Sequence, residues 1–314
     1  MIEVESITKR YGSLVAIKDV SFTVEKGEIV GFLGPNGAGK TTTLKIITCY
    51  MPPSEGRVKV DGIDCFEDSL AVRKRLGYLP ESVPLYREMT VRRFLRFVAE
   101  SKGVEPKKRQ KEIERVADTC GLSKVTNRII GHLSKGYRQR VGIAQALIND
   151  PPILIFDEPT IGLDPSQIIE IRQLIKDLGE EKTIILSSHI LPEVSQVCQK
   201  VIIINKGKVI ATETPANLTS QLQKSTKIVL QVKSDSQPID SIIERLNNIP
   251  GVLKVSREDH NGTLIVETDQ TKDLRPQISR TVIENNWDLL EIKLHDFSLE
   301  DIFLELVTKE EEAS

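Results

Sequence analysis

The chain has 314 residues, 39% of them hydrophobic and 28% charged, with 43 Lys and Arg against 45 Asp and Glu. That is enough apolar material for about two packed domains and excludes a disordered chain. The formal charge of -2 leaves no global basic field for nucleic acid, so any polyanion site must be local.

Uninterrupted apolar stretches such as 153–156 and 201–204 are four residues long, against about 20 for a spanning helix. The start, Met1-Ile2-Glu3-Val4-Glu5, alternates like a strand and lacks the basic, then apolar, pattern of a signal peptide, so a cytoplasmic location is expected. Cys49, Cys65, Cys120 and Cys198 form no Cys-x-x-Cys pair and read as buried free thiols.

Taken in order, 2–7 and 20–24 alternate as antiparallel-type strands, and 28–33 reads as a buried strand ending in a glycine-rich turn. A helix is expected from Lys40 to about Cys49, stopped by Pro52-Pro53. Short strands follow at 57–60 and 76–79, then helical spacing between about Thr90 and Leu122, with a further helix at about 141–148. Strand 153–156, helix 165–178, strand 183–186, helix 191–198 and strand 201–205 make a β-α-β-α-β run, which predicts a parallel sheet.

From about Thr212 to Ser225 the composition turns polar, which predicts a boundary: one domain over 1–215 and a linker at 216–225. Strand 227–232, helix 238–247, strand 252–255, turn Asn261-Gly262, strand 264–267, helix 272–285 and strand 287–294 follow the split ferredoxin-like order, over a domain of 226–308 that closes with a helix at 298–306. Residues 309–314 read as a solvated tail.

Gly34-Pro35-Asn36-Gly37-Ala38-Gly39-Lys40-Thr41 matches G-x-x-x-x-G-K-[ST] between a buried strand and a helix, with Thr42 the next residue on that helix. Glycines let successive backbone N–H groups turn onto a β-phosphate, and the helix N-terminus adds partial positive charge. Lys40 supplies a cation, and Thr41 places a hydroxyl for Mg²⁺ bridging the β- and γ-phosphates. At the end of strand 153–156 stand Asp157 and Glu158, where ligands bind in open α/β sheets. Neighbouring strand side chains point opposite ways, so Asp157 suits an outer contact to Mg²⁺ and Glu158 suits polarising the attacking water.

With Leu133-Ser134-Lys135-Gly136-Tyr137-Arg138-Gln139-Arg140, followed twelve residues later by the strand with its acids, the first 215 residues resemble the ATP-binding subunits of ABC transporters. Other stations fall in that family's order: Tyr11, Tyr78-Leu79-Pro80-Glu81, Gly162-Leu163-Asp164, and Ser187-Ser188-His189. The resemblance implies a phosphate-loop ABC cassette, a mixed sheet with an antiparallel β subdomain and a helical insert at about 85–150. It also implies ATP and Mg²⁺ as ligands, and a homodimer in which each ATP lies between one copy's phosphate loop and the other's Ser134 and Gly136. Tyr11 would stack on adenine, Glu81 would reach Mg²⁺ or water, His189 would hold the γ-phosphate and the water in line, and Asp164 would couple the two sites. His189 also reads simply as a histidine satisfied at a strand end.

Three departures from the family's usual pattern stand out: Glu81 stands for Gln, Lys135 and Tyr137 alter the usual Leu-Ser-Gly-Gly-Gln, and Ile161 replaces Ser. Glu81 adds negative charge beside the phosphates, and Lys135 can add a cation.

Between Arg87 and Arg115 ten basic residues face five acids, which reads either as a solvated helical face or as a surface toward anionic headgroups. The resemblance implies a separate membrane permease, with Pro84-Leu85-Tyr86 as an apolar lip for it, and a peripheral position on the inner face of the cell membrane. The ending Asp296 to Leu306 resembles tails of bacterial export-type ATPase subunits. No direct nucleic-acid binding is expected. The rival is a soluble, non-transport ABC ATPase acting on ribosomes or DNA. The second domain, with His260, His295 and Trp287, carries no catalytic constellation and reads as a dimerisation or regulatory module, or as a small-molecule sensor.

Overall fold

The computed structural model describes residues 1–222, 226–233, 238–257, 263–269 and 273–294. The expected turn at 261–262, helix at 298–306, His260, His295 and the tail lie outside the described residues. Two compact units emerge, Met1–Pro215 and one within Ala216–Glu305.

The first unit opens with β1 (Ile2–Tyr11), β2 (Leu14–Val24) and β3 (Ile29–Leu33), then α1 (Lys40–Ile47), β4 (Glu55–Val60) and β5 (Ile63–Asp64). After α2 (Ser69–Arg75) and β6 (Leu76–Leu79) comes the helical insert, α3 (Val91–Ser101), α4 (Pro106–Thr119) and α5 (Lys135–Leu147). The chain continues through β7 (Ile153–Asp157), α6 (Pro165–Gly179), β8 (Thr183–Ser188), α7 (Leu191–Ser195), β9 (Lys200–Asn205) and β10 (Lys208–Glu213).

Two sheets form here. One is antiparallel, in the order β2-β1-β4-β5; the other runs β10-β9-β3-β8-β7-β6 and is parallel except for β10. Every residue of β3, β7 and β8 is buried, as both-sided cover of a parallel sheet requires. Helix α1 packs into the core between the sheets: Leu44, Ile46 and Ile47 join Ile2, Val4 and Ile7 of β1 and Ile153 and Ile155 of β7 in one cluster. The phosphate-loop helix is thereby anchored in the core that the two sheets share.

Several expectations need correction. Helix α5 begins at Lys135, six residues before the expected start at 141, because the Ser134 hydroxyl accepts the Tyr137 N–H and caps it. The helical stretch between Thr90 and Leu122 is two helices, broken at Gly103 (φ +75) and restarted with Pro106 in the first turn. Strands β5 and β10 and helix α2, capped by Asp68, were not expected. Residues 216–222 of the expected linker are helical, within α8 (Pro215–Leu222), and 223–225 lie outside the described residues.

In the second unit, β11 (Thr226–Lys233), α9 (Ile239–Asn247), β12 (Val252–Arg257), β13 (Thr263–Thr268), α10 (Arg275–Glu284) and β14 (Asp288–Leu294) build an antiparallel sheet in the order β12-β13-β11-β14. Ile228, Leu230, Leu264 and Val266 of the central strands pack on Ile242, Leu246, Ile278 and Val282 of the helices, with Trp287 in the same core. This is the split β-α-β arrangement.

Candidate nucleotide site

The turn after β3 is shaped by Gly39, whose φ of +108 lies in the left-handed region and whose missing Cβ would stand 2.5 Å from Ile17 Cγ2. It caps α1 and puts Lys40 at the helix's first position. Lys40 is buried, and its Nζ donates to Gly34 O at 2.7 Å and Pro35 O at 3.3 Å. The same ammonium lies 3.4 Å from Glu158 Oε1.

Asp157 ends β7 fully buried. Its Oδ1 accepts the Ser187 hydroxyl at 2.6 Å, while Oδ2 is buried without a hydrogen-bond partner among the described residues. Glu158 is not on the strand: its φ is +49, so the alternation expected of adjacent strand residues does not apply. What separates the two carboxylates is a left-handed turn, secured by the Glu158 N–H donating to Ser187 Oγ at 2.9 Å. That turn carries Glu158 toward Lys40 and His189, whose Nδ1 lies 2.9 Å from Glu158 Oε2. A carboxylate oxygen only accepts, so a hydrogen bond here places the hydrogen on Nδ1 and turns the Nε2 edge away from Glu158.

A cleft of about 460 Å³ opens over these groups, lined by Pro35, Asn36, Gly37, Gly39, Lys40, Thr41, Thr42, Glu81, Glu158 and His189, with Ala16 and Ile161. Gly34 and the buried Ala38 support the loop from behind. Tyr11 does not line the cleft; the residue is 46% exposed, its hydroxyl is 3.0 Å from Met51 Sδ, and Lys9 Nζ stands 5.6 Å from the ring centre. Ser134 and Gly136 lie elsewhere too, lining a second pocket with Tyr137, Arg140, Ser166 and Gln167. Asp164 caps α6, and the Ser166 hydroxyl and the Gln167 N–H hold its carboxyl below the usual range.

Two features escaped the sequence reading. Ser187, the β8 partner of Asp157 in register, ties both acids together, and only the strand pairing reveals it. Lys135 reaches across to Gly162: a Cβ there would meet its Nζ at 2.1 Å.

No group of three or more His, Cys, Asp or Glu among the described residues could hold a metal alone. A hard cation here would depend on phosphate oxygens, and the unpartnered Asp157 Oδ2 is a fitting protein ligand for one.

Residues 17–161 match the ABC transporter family. Over 98% of its length the chain is 34% identical to the bacitracin transport ATP-binding protein BcrA of Bacillus licheniformis, covering 97% of that protein. The chain belongs to the ABC transporter ATP-binding proteins. It is also 44% identical to the ABC transporter ATP-binding protein NatA of Bacillus subtilis, over 62% of this chain and 80% of that one. The ATP-binding cassette MJ0796, solved as a dimer in a post-hydrolysis state bound to ADP and Pi, superposes with a TM-score of 0.63 at 29% identity, covering 68% of this chain and 98% of that one. This ABC ATPase is therefore an ATP-binding enzyme that hydrolyses ATP. No helix among its described residues is long and apolar enough to cross a membrane.

Proposed function

We propose that two copies of this ABC ATPase close around two ATP, each held between one copy's phosphate loop and the other's Ser134 and Gly136, and that closure and hydrolysis drive a separate membrane permease, in an exporter. The observation that carries this is the separation of two half-sites on one chain. The cleft of Lys40 and Glu158 and the pocket of Ser134 and Gly136 share no lining residue. A second copy can join them, and the dimeric MJ0796 cassette supports that arrangement.

In this reading the phosphate loop and Lys40 hold the β- and γ-phosphates, and the α5 N-terminus meets the γ-phosphate from across the interface. Thr41, Asp157 and Glu81 would hold Mg²⁺, which supplies neutralisation of phosphate charge. Glu158 takes a proton from the attacking water, His189 orients it, Tyr11 offers its exposed ring to adenine, and Asp164 couples the sites. The 1–215 unit is the ATPase domain, and the second unit is a dimerisation or regulatory module.

Transport is the reading the relatives' names favour, with the chain peripheral on the cytoplasmic face of the membrane. Tagged protein should therefore fractionate with membranes and co-purify with a polytopic partner identifiable by mass spectrometry. Recovery with ribosomes or DNA alone would overturn the transport reading.

A further inference from the structure

We propose that Lys102 is a positioning residue for the half-site this chain lends to its partner: it grips the C-terminal end of α5 and thereby sets where Ser134 and Gly136 stand at the other end. The inference rests on the two-copy reading above.

Helix α5 runs 13 residues from its cap at Ser134, a lever of about 20 Å. A helix leaves its last four carbonyls without intrahelical partners and its C-terminus partly negative. Here side chains from the insert meet all of them. Lys102, which caps the C-terminus of α3, donates from Nζ to Gln145 O at 3.0 Å, Ala146 O at 3.1 Å and Ile148 O at 3.1 Å. The carbonyl between them, Leu147 O, accepts from Arg115 Nη2 of α4 at 2.9 Å.

The same joint reaches the catalytic strand. Glu112 of α4 accepts from Arg115 and from the Asn149 N–H at 2.7 Å, and Asp150 pairs with Lys182 at 2.7 Å. Lys182 also donates to Pro151 O at 3.1 Å, just before β7, the strand that ends in Asp157 and leads to Glu158. One polar joint therefore fixes the far end of α5 and the entry to the strand that leads to Asp157 and Glu158.

Lys102 is a costly way to end a helix. It is largely buried, and burial pushes its ammonium down to about 8 despite Glu112 nearby. Left-handed Asn149 (φ +70) does follow the helix, but its N–H goes to Glu112 Oε1, and the Asp150 N–H returns only to Leu147 O, so Gln145 O, Ala146 O and Ile148 O are left to Lys102. What the ammonium adds is a fixed point shared by α3 and α5, and displacements near 1 Å remote from a reacting centre can cost about 100-fold in rate.

The test uses the full chain with Lys102→Arg, Lys102→Gln and Lys102→Met. Expected is a graded loss of kcat, small for Arg and about tenfold for Met, with ATP affinity of the dilute chain unchanged. Lys102→Gln keeps a donor and serves if Lys102→Met does not fold. An unchanged kcat, or an affinity falling in step with kcat, overturns the proposal.

A mixing experiment separates positioning from simple loss of fold. Lys40→Ala disables a chain's own cleft but leaves its Ser134 end to lend, so mixed with Lys102→Met it should restore activity above that of either chain alone. Ser134→Ala mixed with Lys40→Ala is the calibrator. Recovery in the calibrator but not with Lys102→Met overturns the positioning role; recovery in neither overturns the two-copy reading beneath it.

Discussion

Lys40 Nζ and Glu158 Oε1 lie 3.4 Å apart, and both side chains are more than nine-tenths buried, at 6% and 7% exposure. With His189 Nδ1 2.9 Å from the other carboxylate oxygen, Glu158 is held from two sides and aimed at the cleft. Glu158→Gln keeps the shape and removes the charge that accepts a proton. Turnover should fall by about 10²–10⁴-fold, the usual contribution of a positioned base, while ATP affinity changes little. ADP release and calorimetry on one preparation decide this; a wild-type rate would remove Glu158 from its assigned role.

Lys40→Ala tests the other member of the pair. It deletes the loop's cation, so ATP affinity should drop sharply by calorimetry. It also leaves a buried carboxylate supported by His189 alone, which should cost about 1–3 kcal/mol in denaturant unfolding. Adding Glu158→Gln should restore part of that stability, because no uncompensated charge remains. Equal stabilities of the single and double variants would show that the pair contributes nothing to the fold.

Those two residues also mark where sequence reading stops. The Lys40 loop was legible because its chemistry is written in eight consecutive residues flanked by a strand and a helix. Asp157 was legible because the buried run before it has to end where it stands. The aim of Glu158 was not, since it depends on a left-handed turn secured by Ser187, 29 residues away in sequence. The start of α5 was hidden for a different reason: Lys135, Gly136, Tyr137 and Arg138 show no apolar period, and the cap at Ser134 does the work that amphipathicity does elsewhere. Edge strand β10 was missed because it shows no clean alternation: its residues are half-buried or exposed, with Lys208 and Glu213 at its ends.

Gly162→Ala should cost stability mainly through the backbone. The Gly162 φ of +64 costs a non-glycine residue about 1 kcal/mol, whereas a Cβ there only needs the exposed, flexible end of Lys135, its Nζ 2.1 Å away, to swing aside. Gly162→Ala should therefore destabilise the chain and dislodge Lys135 from the turn that follows Glu158. Because Lys135 can move, the double variant with Lys135→Ala should be destabilised by close to the sum of the singles. A coupling well above about 0.5 kcal/mol in denaturant unfolding would show that Lys135 is held rigidly in that space.

Acid should weaken the joint behind α5. Burial pushes the Glu112 carboxyl upward, but the Arg115 fork, at 2.7 and 2.9 Å, and the Asn149 N–H outweigh it, so the group titrates below its usual range. A carboxyl with a lower proton affinity folded than unfolded contributes stability that is fully present above the unfolded value, about 4.3 for Glu, and is lost as pH falls through the folded one. Asp150, also lowered through its bond to Lys182 despite burial, adds to the same trend. Glu112→Gln removes the charge, so its melting temperature should fall furthest below wild type at pH 7, and the gap should narrow as the pH drops below about 4. Thermal unfolding of both chains at pH 7, 5 and 3.5 measures it. A gap of constant size across that range would show that Glu112 acts by packing and not by charge, and would leave Arg115 to hold Leu147 O without its help.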